Sequence, residues 1–161
     1  LKRTFMILYF KQRFFSWFDS YDIYDENGET AYTVQGRLSW GHKLEIYDRS
    51  GNLCGTVKEK IFTFLPKFAL YANGAFLGYI QKKFAFFKAI YEFDYNMWSV
   101  DGGFMEWDYT ITDAQGNLVA TVGKELFHLT DQYVLDIVNH ADALNVLMFT
   151  LAIDAEKCSR S

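Results

Sequence analysis

The chain reads as mainly β: a closed antiparallel β-barrel of about twelve strands around a central, buried, hydrophobic C-terminal α-helix. Three observations predict this. A strand-into-turn signature ending in Gly recurs four times, short aromatic and β-branched runs bounded by turn signals fill the chain to about residue 138, and an all-round apolar segment follows from Asn139.

The repeat is the strongest of the three. Tyr21-Asp-Ile-Tyr-Asp-Glu-Asn-Gly28, Leu44-Glu-Ile-Tyr-Asp-Arg-Ser-Gly51, Phe68-Ala-Leu-Tyr-Ala-Asn-Gly74 and Tyr109-Thr-Ile-Thr-Asp-Ala-Gln-Gly116 superimpose. Asp25, Asp48 and Asp113 occupy matching turn positions. An Asp or Asn caps its own turn and Gly accepts the positive φ that closes a tight hairpin. Six residues after each glycine stands a β-branched aliphatic, Val34, Val57, Ile80 or Val122, so the returning strands share a register. Before the turns, Tyr21/Ile23, Leu44/Ile46, Phe68/Leu70 and Tyr109/Ile111 sit two apart, the period of one strand face, and are expected to point inward. Only the interval from Gly74 to Gly116 breaks the rhythm, and Tyr91-Glu-Phe-Asp-Tyr-Asn-Met-Trp98 can hold a degenerate turn within it.

Turn-bounded runs place strands near 5–11, 13–24, 30–39, 43–48, 53–62, 67–72, 76–82, 87–94, 96–101, 104–113, 118–127 and 131–138. Closing such an up-and-down sheet removes its edges. Pro66 falls between two strands, where it costs no ladder bond.

From Asn139, a candidate N-cap with Asp142 in the first turn, the pattern becomes helical to about residue 155. In Ala143-Leu-Asn-Val-Leu-Met-Phe-Thr-Leu-Ala-Ile153 only Asn145 and Thr150 are polar, and they do not form one stripe. A helix without a polar face is a core helix or a membrane span. Eleven apolar-centred residues fall well short of the ~20 a bilayer needs, so Leu144, Leu147, Met148, Phe149 and Leu151 are expected to form a core on the barrel axis. A rod of about 25 Å matches the height of such a barrel.

The 161 residues fit one domain, 1–161, with the barrel at about 5–138 and the helix at about 139–155. Sixteen basic against twenty acidic residues give a net charge of −4, which argues against a general nucleic-acid binder. Cys54 and Cys158 match no metal or redox spacing, and a reducing, cytoplasmic setting follows as the expectation. Lys2-Arg3 and the short apolar run after them lack the length and cleavage site of a signal peptide, and Cys158-Ser-Arg-Ser161 matches no lipidation motif.

Together, Lys11-Gln-Arg-Phe-Phe-Ser-Trp17, Ile23-Tyr-Asp-Glu-Asn-Gly28, Phe62-Thr-Phe-Leu-Pro-Lys67, Trp98-Ser-Val-Asp-Gly102, Asp131-Gln-Tyr-Val-Leu-Asp136, Ala141-Asp-Ala-Leu144 and Leu151-Ala-Ile-Asp154 resemble the LURP-one-related family, including its bacterial YxjI-type branch, among the Tubby C-terminal-like barrels. The resemblance spans nearly the whole chain and implies a twelve-stranded barrel around a hydrophobic helix. It also implies a neighbourhood of lipid-associated folds, since Tubby domains bind phosphoinositides and phospholipid scramblases look like relatives. No basic lipid-contact motif of Tubby matches here, so the resemblance assigns no site residue.

No catalytic constellation stands out. His42, His128 and His140 are scattered without metal-ligand spacing and read as turn, strand-end and helix-start residues. Gly102-Gly103 lacks the Lys and setting of a phosphate loop, and neither cysteine adjoins a histidine. Asp131 and Asp136 are expected to satisfy backbone groups near the helix.

The one basic cluster is Lys58, Lys60, Lys82, Lys83 and Lys88, a candidate contact for anionic lipid headgroups on neighbouring strands; outward lysines also serve solubility and edge protection. The expected function is a cofactor-free, non-enzymatic binding module, with phospholipid or phosphoinositide sensing at a membrane surface first. A protein-interaction scaffold using Trp17, Trp40 and Trp98 is the alternative, and an enzyme with a pocket beside the helix comes last. No metal, nucleic acid or transmembrane segment is expected.

Overall fold

The computed structural model describes residues 5–11, 20–85, 88–101, 108–127 and 130–158. Twelve strands form one closed antiparallel barrel: β1 (Met6–Lys11), β2 (Ser20–Asp25), β3 (Thr30–Arg37), β4 (Lys43–Tyr47), β5 (Leu53–Glu59), β6 (Lys67–Ala72), β7 (Ala75–Ala85), β8 (Lys88–Phe93), β9 (Trp98–Asp101), β10 (Tyr109–Thr112), β11 (Leu118–Phe127) and β12 (Thr130–Ile137). Each pairs with its neighbours in sequence, and β12 returns to β1 from Met6↔Ile137 to Lys11↔Gln132.

The repeated turns work as their sequence predicts. Asp25 Oδ1 accepts from the Asn27 and Glu29 amides, Asp48 Oδ1 from Ser50 and Asn52, and Asp113 Oδ1 from Gln115 and Asn117, all at 2.8–3.0 Å. Gly28, Gly51 and Gly116 close these turns at φ of 77°, 80° and 81°. The fourth hairpin is shorter, with Asn73 and Gly74 both at positive φ, as a two-residue primed turn requires.

The turns set the register. Tyr21 faces Val34, Leu44 faces Val57, Phe68 faces Ile80 and Tyr109 faces Val122. The same relation recurs at Tyr91 and Val100, across a turn at 94–97 that fills the irregular interval after Gly74. All four aliphatics are at most 1% exposed, and the inward partners Ile23, Ile46, Leu70 and Ile111 are fully buried.

A short 3-10 turn, His140–Asp142, follows β12, capped by Asn139, whose side chain accepts from the Ala141 amide. The helix α1 (Ala143–Cys158) continues from it. Val146 to Ile153 are each at 0% exposure. Eight consecutive residues cover every direction around a helix axis, so the barrel wall surrounds α1. Leu147, Met148, Phe149 and Leu151 lie in this stretch, while Leu144 is partly buried against the core. Phe149 meets Phe93 edge-on at 6.5 Å. Thr150 donates to the Val146 carbonyl, so its hydroxyl is satisfied within the helix.

Where α1 leans on β5 the wall carries Gly55. A Cβ there would stand 3.1 Å from Leu144 Cδ1 and 3.2 Å from Met148 Sδ.

Up-and-down connectivity gives the barrel two unlike ends. The Asp/Asn-Gly turns and the 94–97 turn gather at one, and the connections 38–42 and 60–66 with the β7–β8 hairpin lie at the other. Because β12 ends on the turn side, α1 enters there and finishes at the loop end.

Candidate functional site

Strands β3 and β5 stop earlier than the sequence predicts, at Arg37 and Glu59, leaving 38–42 and 60–66 as loops. Leu38 is 85%, Trp40 83%, Phe62 97% and Phe64 101% exposed, and every other large apolar side chain described is below 65%.

Backbone and side-chain contacts hold the two loops together. The Glu59 amide donates to the His42 carbonyl at 2.7 Å, and the His42 amide donates to Glu59 Oε2 at 2.9 Å. His42 Nδ1 stands 2.5 Å from the same oxygen. Gly41, at φ 83°, lets the first loop lie against the second: a Cβ there would meet Ile61 Cγ2 at 3.0 Å and the Glu59 carbonyl at 3.1 Å. Phe62 is itself at φ 62°, a left-handed conformation that bulky residues rarely adopt.

Behind these tips runs a groove of about 340 Å³ lined by Trp40, Lys58, Lys60, Ile61, Lys67 and Tyr79, with Glu59 and Thr63 completing it. Lys67 Nζ sits 4.0 Å above the Tyr79 ring. Glu59 is the acidic residue of this lining, and its carboxylate is engaged by His42. Lys58 stands beside Lys43 across the β4–β5 ladder, and Lys43 is paired with Glu45 at 3.0 Å. Burial raises the Glu45 pKa, but Arg37, Tyr47 and Lys43 together outweigh it and hold the carboxyl at about 2. Lys58 and Lys60 form no ion pair among the described residues.

The lysines expected to form one patch therefore divide. Lys58 and Lys60 share the groove. Lys83, on the outer face of β7, is taken by Glu92 at 2.6 Å. Lys88 is on β8, and its side chain lies outside the described residues. Lys82 departs from the expectation altogether: it points into the barrel, 6% exposed, with Nζ 3.1 Å from Glu156 Oε1 of α1. Tyr91 donates its hydroxyl to the other Glu156 oxygen. The cause is strand parity, because Lys82 lies two residues after inward Ile80.

Lys67, Tyr79 and the loop-tip residues Leu38, Phe62 and Phe64 are not singled out as site residues by sequence, whereas Trp40 is. Lys67 was legible as the residue before inward Phe68, and so as an outward lysine; the register sets it opposite Lys60.

The remaining candidates separate clearly. Trp40 is exposed as expected, whereas Trp98 is 6% exposed and packs against Phe93 at 6.4 Å, so it offers no outer surface. Trp17, Gly102, Gly103 and His128 lie outside the described residues. His140 opens the 3-10 turn. Asp136 is exposed on β12 and makes no side-chain hydrogen bond among the described residues, contrary to the backbone role expected of it; the Asp131 side chain is outside them. Cys54 is a free thiol, directed at the Ile46 carbonyl at 3.4 Å, with its pKa pushed up first by burial. Among the described residues no three His, Cys, Asp or Glu side chains are grouped to hold a metal, and no helix is long and apolar enough to cross a membrane.

Comparison with known proteins adds two findings. A family model described as LURP-one-related matches residues 6–154. The uncharacterized protein YxjI of Bacillus subtilis (strain 168) is 28% identical over 148 residues, covering 91% of each chain.

Proposed function

The chain belongs to the LURP-one-related family, and from that premise and the geometry of the loop end we propose a non-enzymatic binding module that settles on anionic phospholipid surfaces, phosphoinositides included. On this reading the whole chain, 1–161, acts as one unit, peripheral at the cytoplasmic face of a membrane. The observation that carries it is the juxtaposition of exposed Trp40 with Lys58, Lys60 and Lys67 around one groove.

The physical basis is additive attraction. Each Lys near an anionic surface contributes about 1 kcal/mol at low ionic strength, so three give a reversible gain of about 100-fold. Trp belongs to the residue types favoured at the headgroup level. Peripheral contact also fits the outer wall, where the Arg37–Glu45 and Lys83–Glu92 pairs occupy faces that an integral barrel would turn toward lipid. The test is co-sedimentation with phosphatidylserine-containing and purely phosphatidylcholine vesicles. Selective, salt-sensitive binding to the former is expected, and equal or negligible binding to both would end the reading.

A protein-interaction scaffold is the second reading. It is favoured by the row Tyr71, Phe76, Tyr79 on the outer wall, with ring centroids 5.6 and 5.1 Å apart and Phe76 half-exposed. Loss of a co-purifying protein on Phe76→Ser, with vesicle binding absent, would select it.

A further inference from the structure

We propose that the tips of the 38–42 and 60–66 loops penetrate the interfacial layer of a lipid bilayer, with Leu38, Trp40, Phe62 and Phe64 as the inserted side chains. This rests on the anionic-membrane reading and adds to it that the contact is an insertion rather than an electrostatic adsorption.

Three observations carry it. The four side chains stand at 83–101% exposure, all on two adjoining loops. Exposure near 100% means a side chain projects past its neighbours, so a rigid partner would need a matching socket for each tip, whereas a bilayer yields around them. Large exposed apolar groups gathered in one place mark an interaction surface.

The loops are also held in this posture. Their contacts through Glu59, His42 and Gly41 are joined by the Lys60 amide donating to the Lys67 carbonyl at 2.8 Å and the Lys82 amide to the Pro66 carbonyl at 3.0 Å. Phe62, fixed at positive φ, spends backbone strain to present its ring to solvent.

Charge then selects the occupant and its side. Lys58, Lys60 and Lys67 line the same groove as Trp40, so an anionic headgroup beside an inserted Trp40 meets them. The opposite end of the barrel carries Asp25, Glu26, Glu29, Asp48, Asp94 and Asp113 in its turns, and Arg49, which pairs with Asp25 and Glu29, offsets only part of that negative charge. An anionic surface attracts the first end and repels the second, so the barrel stands on its loop end.

The experiment combines depth and salt. Protein and its Trp40→Phe variant are bound to phosphatidylserine/phosphatidylcholine vesicles with bromine at shallow or deep acyl positions, and the Trp40-dependent fluorescence is read. In parallel, Phe62→Asn/Phe64→Ser, two exposed positions with Asn suited to the positive φ, is compared in sedimentation at low and high salt. Quenching by shallow bromine and at least a ten-fold loss of high-salt binding in the double variant are expected. Unchanged variant binding without Trp40 quenching would overturn insertion and leave electrostatic binding standing. No binding by the parent protein to any vesicle would overturn both. A concentration-dependent dimer that the double variant abolishes would assign the tips to a second copy of the chain and overturn insertion.

Discussion

Lys82 Nζ and Glu156 Oε1 meet 3.1 Å apart inside the barrel, joining wall strand β7 to the end of the central helix, with side chains 5% and 3% exposed. Removing one member of a buried pair strands the other's charge and costs about 3–5 kcal/mol. Lys82→Met and Glu156→Gln are each expected to lower stability by that order in urea unfolding. The double variant should lose much less than the sum, and additive losses would show that the pair is not coupled.

The helix requires an apolar axis and a wall that makes room for it. Leu147→Asp or Phe149→Asp places an unpaired charge among fully buried neighbours, and loss of the cooperative thermal transition is expected. Gly55→Val overpacks the point where Leu144 and Met148 touch β5, with an expected loss of about 1–3 kcal/mol. A folded Leu147→Asp variant that merely changed vesicle affinity would contradict the buried helix.

Most of this scaffold was legible because it is written in local, repeated chemistry. Asp25, Asp48 and Asp113 announce the turns, and counting six from each glycine finds the aliphatics that face Tyr21, Leu44 and Tyr109. The all-round apolarity of Val146–Ile153 announced the core helix. What was illegible depends on where strands stop. Leu38, Ile61 and Phe62 have strand-favouring side chains, so the sequence carried β3 and β5 past Arg37 and Glu59 into what are loops. Lys82 was misplaced for a different reason: its adjacency to Lys83 suggested one basic patch, while alternation from Ile80 sends the two lysines to opposite faces of β7. Trp98 similarly shares the inward face with Val100, where its burial follows.

Acid sensitivity follows from depressed carboxyl pKa values. Glu45 is held at about 2 against an ordinary 4.5. The Asp48 and Asp113 carboxyls are also lowered, first by the Asn52 amide and the Asn117 side chain respectively. Groups lowered on folding stabilise the native state above their unfolded pKa, and that stabilisation is lost as pH falls through the folded value. In urea titrations the gap between the parent protein and Glu45→Gln is therefore expected to be full above pH 4.5 and to close toward pH 2. A gap independent of pH would show that the Arg37, Tyr47 and Lys43 contacts do not favour the charged form.

The turns are equivalent in sequence but not in load. Burial pushes the Asp25 pKa up, yet the Glu29 and Asn27 amides with Arg49 from the next turn outweigh it and leave it lowered. Among the described residues Asp113 is held by its own turn alone. Asp25→Ala should lower the melting temperature more than Asp113→Ala, and Arg49→Ala should account for most of the difference.

The most direct measurement of the functional reading is vesicle affinity of Lys58→Glu/Lys60→Glu against the parent protein. Lys58 is on the outside of the barrel wall and Lys60 opens the 60–66 loop, so their replacement leaves the core untouched. At low salt, on phosphatidylserine-containing vesicles, the expected result is a loss of at least 100-fold that shrinks as salt rises. Equal affinity of the two proteins across the salt series would contradict the assignment of the loop end as an anionic-membrane surface.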